Sequence, residues 1–488
     1  MRIFLINPPW YVLQGGESNQ NSTPLGACYL AAMLESGGHD ARVMNADRGD
    51  SRYENEWTID IRMFDSYRAR DFRQHPVWKK IADSVASFRP DVVGITVRTP
   101  AVESSLFLCE TVKRIDRGIF TVVGGPHPTA LPDEMLESPY VDFVVRREGE
   151  ATIVELVNAL SSGSDRSSVA GLSYKRGQAI HHNPDRPFLD IDTIPHPAKH
   201  LMLDIEAHDQ DDFNPILASR GCPYQCIFCA SANVWSRKVR FRDPADVVQE
   251  MRETCERFDT HFFSFEDDTF TIRRDICFRL FELIVDSGLQ KVPGFRWVCN
   301  TRPELLDPEL LRAMRRSGCA AVAIGIESGN DRILKRLKKN YTVAHVKEAA
   351  RMIKEAGLVL STQFMIGLPF ETEDDMWDTV RLAEALSPES VMLSVATPLP
   401  KTELYTLASE KGYFKNGIRW AEVTTKNDGI LFNTVYSPER KARIMEAVRS
   451  AFEDIQKRTI EIKIASRKRY EDMYKKSGKD PYPRAPGK

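Results

Sequence analysis

The segment SRGCPYQCIFCAS sets Cys222, Cys226 and Cys229 three and two residues apart, directly after ILASRG, a run that predicts a strand. Three thiolates on so tight a loop can ligate three irons of one cuboidal cluster, because soft sulfur suits iron–sulfur centres. The fourth iron keeps an open position that can chelate an amino and a carboxylate group, which suits a catalytic cluster better than a pure electron carrier. Structural zinc takes four protein ligands in paired spacings, and no second CxxC or Cys/His pair accompanies these three. A chance grouping of buried thiols is the remaining alternative. The chain has nine cysteines, an odd number, and the others are scattered, which points to reduced thiols in a cytoplasmic setting rather than a disulfide framework. Cys28, Cys109, Cys255, Cys277 and Cys319 fall on apolar faces and read as core thiols.

The elements that must carry this loop follow from length and periodicity. At 488 residues the chain exceeds what one core usually covers. Sixty-seven basic residues against 69 acidic ones leave a net charge of -2, so nothing global steers it toward nucleic acid or an anionic membrane. No apolar stretch approaches the roughly 20 residues of a membrane span, and the opening MRIFLINPPWY lacks a cleavage site. Residues 1–160 alternate strand and helix patterns: RIFLIN, DARVMNAD, DVVGITV, FTVVGG and FVVRREGE as strands, with helices over Pro24 to Gly38, near Ser104 to Ile115, and in ATIVELVNAL. That pattern predicts a doubly wound, Rossmann-like sheet. Residues 161–215 read as a linker with one hairpin around Gly177. Residues 216–401 hold six further strands separated by amphipathic helices, a partial (β/α)6 TIM-type barrel whose chemistry belongs at the strand C-terminal ends. Residues 402–474 predict a helical C-terminal region, notably Ser437 to Tyr474, and 475–488 a disordered tail. The expected fold class is therefore α/β throughout, with helices appended.

CxxxCxxC with an aromatic, Phe228, before its last cysteine, at the end of a barrel's first strand, resembles the radical S-adenosylmethionine (radical SAM) superfamily; the similarity covers roughly Ile216 to Pro400. The resemblance implies a 4Fe-4S cluster on the three cysteines and S-adenosyl-L-methionine on the open iron. By position it implies Glu266, Asp267 and Asp268 of FSFEDDTF for the methionyl amino group. It likewise implies Asn300, Arg302, Glu327 and Ser328 for ribose or carboxylate, Ile366 and Gly367 of the IGLP turn near adenine, and Phe228 as a further contact of the same ligand. Each alone is weak, since an acidic residue at a strand end is commonly a helix cap; their shared position at predicted strand ends is what unites them. Cys299, beside Asn300, is a candidate hydrogen donor, as a spare thiol is in some radical enzymes.

A nicotinamide domain would carry GxGxxG after its first strand, but NPPWYVLQGG stands there, and Gly15–Gly16 lack the third glycine. NPPW, TPLGACYLAAMLESGGHDA, VGITV, VVGGPHPTALPDE and RREGE instead resemble the cobalamin-binding domain that precedes the radical barrel in one large class, over roughly Met1 to Leu160. A corrinoid's nucleotide tail needs a slot at the sheet's C-terminal edge with small residues allowing close approach. Candidates are Pro9 and Trp10, Thr23, Pro24, Leu25 and Gly26, Thr96, Arg98 and Thr99, Gly124, Gly125, Pro126 and His127, and Glu148. For each taken singly, a tight turn or cap is an equal reading. His127 reads as a loop or tail contact rather than a cobalt ligand. The DxHxxG motif of cobalamin mutases is absent, and the resemblance implies a lower cobalt face that is open or covered by a local side chain such as Trp10 or Arg98.

The combined resemblance implies a cobalamin-dependent radical enzyme, foremost a methyltransferase that acts on an unactivated carbon of a small-molecule, natural-product or lipid substrate through a 5′-deoxyadenosyl radical and methylcobalamin. A low-potential flavodoxin or ferredoxin would supply electrons. The alternatives are a non-methylating cyclase, ring-contraction or carbon–carbon coupling enzyme, and a non-enzymatic corrinoid or redox-sensing protein. A tRNA methylthiotransferase would carry further N-terminal cluster cysteines and an RNA-binding tail, which this sequence lacks. The aromatic insertion from Tyr53 to Trp78 and the helices beyond Thr402 are candidates for shaping the substrate pocket.

Overall fold

The computed structural model describes residues 1–14, 22–48, 72–414, 417–424 and 436–476. Gly15–Gly16, most of the aromatic insertion and residues 477–488 of the expected tail lie outside the described residues. Five parallel strands open the chain: β1 (Arg2–Asn7), β2 (Asp40–Asn45), β3 (Val92–Thr96), β4 (Phe120–Gly124) and β5 (Phe143–Val145). Ile3, Phe4 and Ile6 of β1 and Val92 and Val93 of β3 are fully buried, because helices cover both faces and such strands need continuous apolar runs. The helices are α1 (Leu25–Ser36), α2 (Val77–Phe88), α3 (Val102–Ile115), α4 (Pro126–Ala130), α5 (Pro132–Glu137) and α6 (Glu150–Ser162).

β5 stops after three residues where the sequence pattern runs on through FVVRREGE: Arg147 adopts φ 59° and α6 begins at Glu150. The hairpin expected around Gly177 forms as β6 (Leu172–Arg176) and β7 (Ala179–His182), with Gly177 at φ 64°. It does not sit in a free connector, however. β6 pairs antiparallel with β5, so the first sheet has seven strands in the order β2-β1-β3-β4-β5-β6-β7. The parallel order 2-1-3-4-5 reverses direction between β1 and β3, and in such sheets the ligand crevice opens at the strand carboxyl ends beside that switch.

The second sheet is parallel and runs in simple succession from β8 (Pro215–Ile216), through β11 (Phe262–Phe265), β12 (Arg296–Thr301), β13 (Cys319–Glu327) and β14 (Val359–Ile366), to β15 (Ser390–Val395). The first of these is only two residues long. Beyond it Ser219–Arg220 (β9) leaves the sheet to pair antiparallel with Arg240–Phe241 (β10). Among the described residues, eight helices between Ser231 and Glu410 accompany this half: α7 (Ser231–Trp235), α8 (Pro244–Phe258), α9 (Arg274–Ser287), α10 (Pro308–Arg316), α11 (Asp331–Arg336), α12 (Val343–Glu355), α13 (Glu373–Leu386) and α14 (Glu403–Glu410). An aromatic knot of Phe265, Phe270, Phe281 and Trp297 fills one side of its core.

The C-terminal region is not a separate appendage. Ile444, Met445, Val448, Phe452 and Ile455 of α15 (Pro438–Lys476) belong to the barrel core, with Phe452 against Phe364 at 5.5 Å. Residues 475 and 476 lie in this helix rather than in a tail. Trp420, Ala421 and Val423 instead join the core of the first sheet, where Trp420 donates to Glu134 and Arg419 pairs with Glu103 at 2.8 Å. Among the described residues no helix is long and apolar enough to cross a membrane.

Candidate active site

The cysteine loop leaves β9 through Gly221, whose φ of 100° suits only glycine and whose Cβ, if present, would lie 2.6 Å from the Lys238 carbonyl oxygen. All three thiols are free, Cys222 and Cys226 half-buried and Cys229 exposed. Cys222 Sγ lies 3.7 Å from Thr269 Oγ1, and Cys226 Sγ accepts from Arg302 Nη1 at 3.7 Å. Among the described residues no three His, Cys, Asp or Glu side chains are gathered as for a single metal ion; a cuboidal cluster asks for one thiolate at each of three corners instead.

The acidic stretch after β11 divides into three roles. Asp267 is fully buried and turned back into the sheet, where it accepts from Ala218 N at 3.0 Å and from the Ser219 hydroxyl. Burial pushes its carboxyl up to about 6 despite those donors. It therefore pins the short first strand and is not offered to a ligand. Glu266 is exposed and takes a hydrogen bond from Ser264 Oγ at 2.7 Å. Asp268 accepts from Ser231 Oγ, lines the cavity described below, and has its carboxyl raised by burial. It does not cap α9, which begins at Arg274.

At the end of β12, Asn300 Oδ1 accepts from Gln363 Nε2 on β14 at 3.3 Å. Cys299 beside it points the other way, as alternate strand residues must. It is buried in the barrel core, where burial and Cys319 hold its thiol well above the ordinary value. The structure thus gives no hydrogen-donor position to Cys299. Arg302 is spent on protein partners: Glu304 at 2.6 Å, the Lys339 carbonyl, the Cys226 sulfur and the Tyr224 ring 3.6 Å away. It braces the cysteine loop rather than reaching for a carboxylate.

Glu327, at φ 69°, pairs with buried Lys339 at 2.9 Å. Burial opposes the Lys339 charge, but Glu327, Tyr341 and Cys226 together outweigh it and hold the ammonium above its ordinary value. Its Nζ also lies 5.6 Å from the Phe228 ring centroid. Ser328 is buried, 3.3 Å from Thr379 Oγ1. Of the residues expected around the adenosyl ligand, Glu266, Asp268 and Asn300 stand at strand ends with no cationic partner among the described residues; Asp267, Arg302, Glu327 and Ser328 are internally committed.

The turn after β14 holds Ile366 and Gly367, the latter at φ 82°, by donating Gly367 N at 2.7 Å and Leu368 N at 3.1 Å to Glu371 Oε2. Burial pushes Glu371 up to about 8, against the lowering effect of those amides. A carboxyl raised on folding favours its protonated form. Its stabilising effect is whole below about pH 4.5, the unfolded value, and is lost as pH rises through about 8. Glu371→Gln keeps the acceptor and removes the ionisation. In urea titrations, wild type is expected to lose on the order of a few kcal/mol between pH values bracketing this window, with the variant losing less; parallel losses would contradict the assignment.

A cavity of about 580 Å³ lies between the carboxyl edge of the first sheet and the cysteine loop. On the first side it is lined by Gly26, Thr96, Arg98, Thr99, Gly124, Gly125, Pro126 and Glu148, along with Leu5, Gly94 and Gly149. On the other side stand Cys229, Ser231, Trp235, Asp268, Leu399 and Pro400. Of the positions expected for cobalamin, six fall outside this lining. Trp10 packs on Tyr11, its amide held by Asp47 at 2.8 Å, and Pro9 precedes it. Thr23 donates its amide to the Asp212 carbonyl, Pro24 precedes α1, and Leu25 packs with Tyr29. His127 is fully buried between Thr99 and Trp420, 5.0 Å from that ring. Glu148 reaches the cavity, but both its oxygens accept from arginines. Gly94, Gly124 and Gly149 leave bare backbone where a Cβ would meet Leu5, Val145 or Leu30, and that is the shape a flat, bulky corrinoid and its tail require. A second, polar chamber of about 640 Å³ adjoins it through Ala130, Arg147 and Asn233 and includes His182 and Lys401.

Sequence reasoning missed Gln363, Lys339, Glu304 and Glu371. Only Gln363 carried a visible signal, a polar residue inside the apolar run VLSTQFMIGLP.

This pairing of a corrinoid-shaped crevice with a three-cysteine loop on a parallel partial barrel defines the cobalamin-dependent radical enzymes. The chain belongs to the radical SAM superfamily: residues 216–383 match the model of that name, and residues 13–157 match the B12 binding domain. It is 30% identical over 87% of its length to an uncharacterized methyltransferase of Pyrococcus horikoshii, 86% of which is covered. It is 29% identical over 84% of its length, and 70% of the relative's, to the anaerobic magnesium-protoporphyrin IX monomethyl ester cyclase of Rubrivivax gelatinosus. In fold it is similar to the radical S-adenosylmethionine methyltransferase TsrM from Kitasatospora setae, solved with cobalamin and a 4Fe-4S cluster, at TM-score 0.67 and 19% identity, with 84% of this chain and 78% of that one aligned. The protein is a cobalamin-dependent radical SAM enzyme whose cofactors are a 4Fe-4S cluster, S-adenosyl-L-methionine and cobalamin.

Proposed function

We propose that the protein is a C-methyltransferase acting on an unactivated carbon of a small-molecule, natural-product or lipid substrate. The observation that carries this reading is the single cavity that Cys229 and Asp268 share with Gly94, Thr96 and Gly125, because radical formation and methyl delivery must reach one carbon. When bound, the three cofactors supply an adenosyl radical and a transferable methyl group. The chain supplies position and dryness. Cys222, Cys226 and Cys229 would hold the cluster, with Arg302 steadying the loop. Asp268 and Glu266 would accept hydrogen bonds from the methionyl ammonium, whose charge offsets the effect of burial on Asp268. The paired amides of Asn300 and Gln363 face the same strand ends and would meet ribose or carboxylate oxygens. Leu399, Pro400 and Trp235 exclude water from the shared space. Substrate would enter by the polar chamber at Arg147 and Lys401, electrons would come from a low-potential flavodoxin or ferredoxin, and the enzyme would work in the cytoplasm.

The similarity to the Rubrivivax gelatinosus cyclase favours one second reading, an oxidative cyclisation on the same apparatus. Mass spectrometry of products from anaerobically reconstituted enzyme separates the two. Gain of one methyl, labelled from methyl-deuterated S-adenosylmethionine, is the expected result. Loss of hydrogens without label would replace methylation by cyclisation.

A further inference from the structure

The cysteine loop is bracketed by the two-residue ladder of β9 and β10, in which Arg220 and Arg240 stand directly opposite each other. Like charges so placed repel, and both side chains are largely buried, at 5% and 13% exposure. Neither carboxylate that neutralises them belongs to the barrel. Glu148 Oε1 accepts from Arg220 Nη1 at 3.1 Å and from Arg240 Nη2 at 2.6 Å, its Oε2 takes Arg240 Nη1 at 3.0 Å, and Glu150 Oε1 lies 2.7 Å from Arg220 Nη1. Both glutamates follow β5 in the first domain, and both line the shared cavity. The Arg220 guanidinium also lies 5.0 Å from the ring of Tyr29, on α1, and 4.9 Å from that of Trp235. The ends of the cysteine loop are therefore closed by charges from the corrinoid-binding half.

Buried ion pairs seldom add net stability, because desolvation offsets attraction; their best-attested use is to fix one arrangement among several. We propose that Glu148 and Glu150 are positioning residues that clamp Arg220 and Arg240, so that the cysteine loop is held at one fixed separation and orientation relative to the corrinoid edge. A barrel whose loop floated on its own ladder would leave the cluster and the cobalt in a spread of geometries. With the clamp, occupation of the crevice and the shape of the cluster loop are one mechanical unit. The clamp acts on the placement of the two cofactors, whichever bond the enzyme makes.

The test uses full-length protein, reconstituted with iron, sulfide and hydroxocobalamin and reduced with dithionite, and reads the magnetic interaction between the paramagnetic cluster and cob(II)alamin by pulsed EPR. Wild type is expected to give one narrow interaction. Glu148→Gln, which removes the shared charge, is expected to broaden its distribution at least twofold among the chains that carry both cofactors. Glu150→Gln, which leaves Glu148 bridging both arginines, should broaden it less. Arg240→Lys keeps the charge but loses the two-pronged grip and should fall with Glu148→Gln. If Glu148→Gln does not fold, the remaining two variants give the same order. Narrow, wild-type interactions in the folded variants, or a loss of cofactor content with unchanged geometry in the loaded fraction, would overturn the clamp and leave the methyltransferase reading standing.

Discussion

Protein in which Cys222, Cys226 and Cys229 are all replaced by alanine is expected to bind no cluster iron and to release no 5′-deoxyadenosine from S-adenosylmethionine and dithionite. Partners one step removed from a metal already change affinity or activity by about 10- to 100-fold, and deletion of three ligands must exceed that. The fold should survive, because none of the three thiols is part of a core: two are half-buried and one is exposed. Thermal unfolding of the apo forms should therefore agree between variant and wild type, while iron content and 5′-deoxyadenosine separate them. Turnover in the triple variant would mean that the three thiolates do not carry the chemistry.

The second large effect belongs to the other cofactor. Gly94→Val in β3 is expected to reduce cobalamin per chain at least about fivefold while iron per chain holds. A Cβ at Gly94 would stand 2.6 Å from Leu5 Cδ2, and both residues line the crevice, so Leu5 must swing into the space a corrinoid tail would take. Overpacking of this kind costs about 1–3 kcal/mol, which corresponds to roughly 5- to 150-fold in binding. Absorbance of retained corrinoid after desalting, set against iron content, measures it. Full retention of corrinoid would mean that the tail lies elsewhere. Gly125→Ala offers an independent check, since its φ of 102° and the Val97 backbone 3.2 Å away both resist a side chain.

The buried parallel strands were legible because their signal is local. RIFLIN spans β1 residue for residue, and DVVGITV and FTVVGG differ from β3 and β4 only at their ends. ILASRG has the composition of a longer strand than the two residues of β8. What shortens it is Asp267, 49 residues from Ala218, drawing off its amide. The cysteine loop was legible from spacing alone. The division of labour around it was not: whether Arg302 meets a ligand or Tyr224, and whether Glu148 meets a corrinoid or two arginines, depends on partners 72 to 92 residues away for Glu148 and 76 for the Cys226 contact. Cys299 and Asn300 show the finer limit, as one step along a strand exchanges a polar partner on β14 for the core.

With Ala421 and Val423, Trp420 plugs the flank of a sheet whose own strands ended more than two hundred residues earlier, so a late segment of the chain is stitched back to an early one. A fragment cut after the first sheet would carry an unsealed hydrophobic wound there, and His127 would lose the ring that walls it off from water. The two halves are thus poor candidates for exchange as independent cassettes; a chimera would have to inherit the stitch along with the sheet it closes.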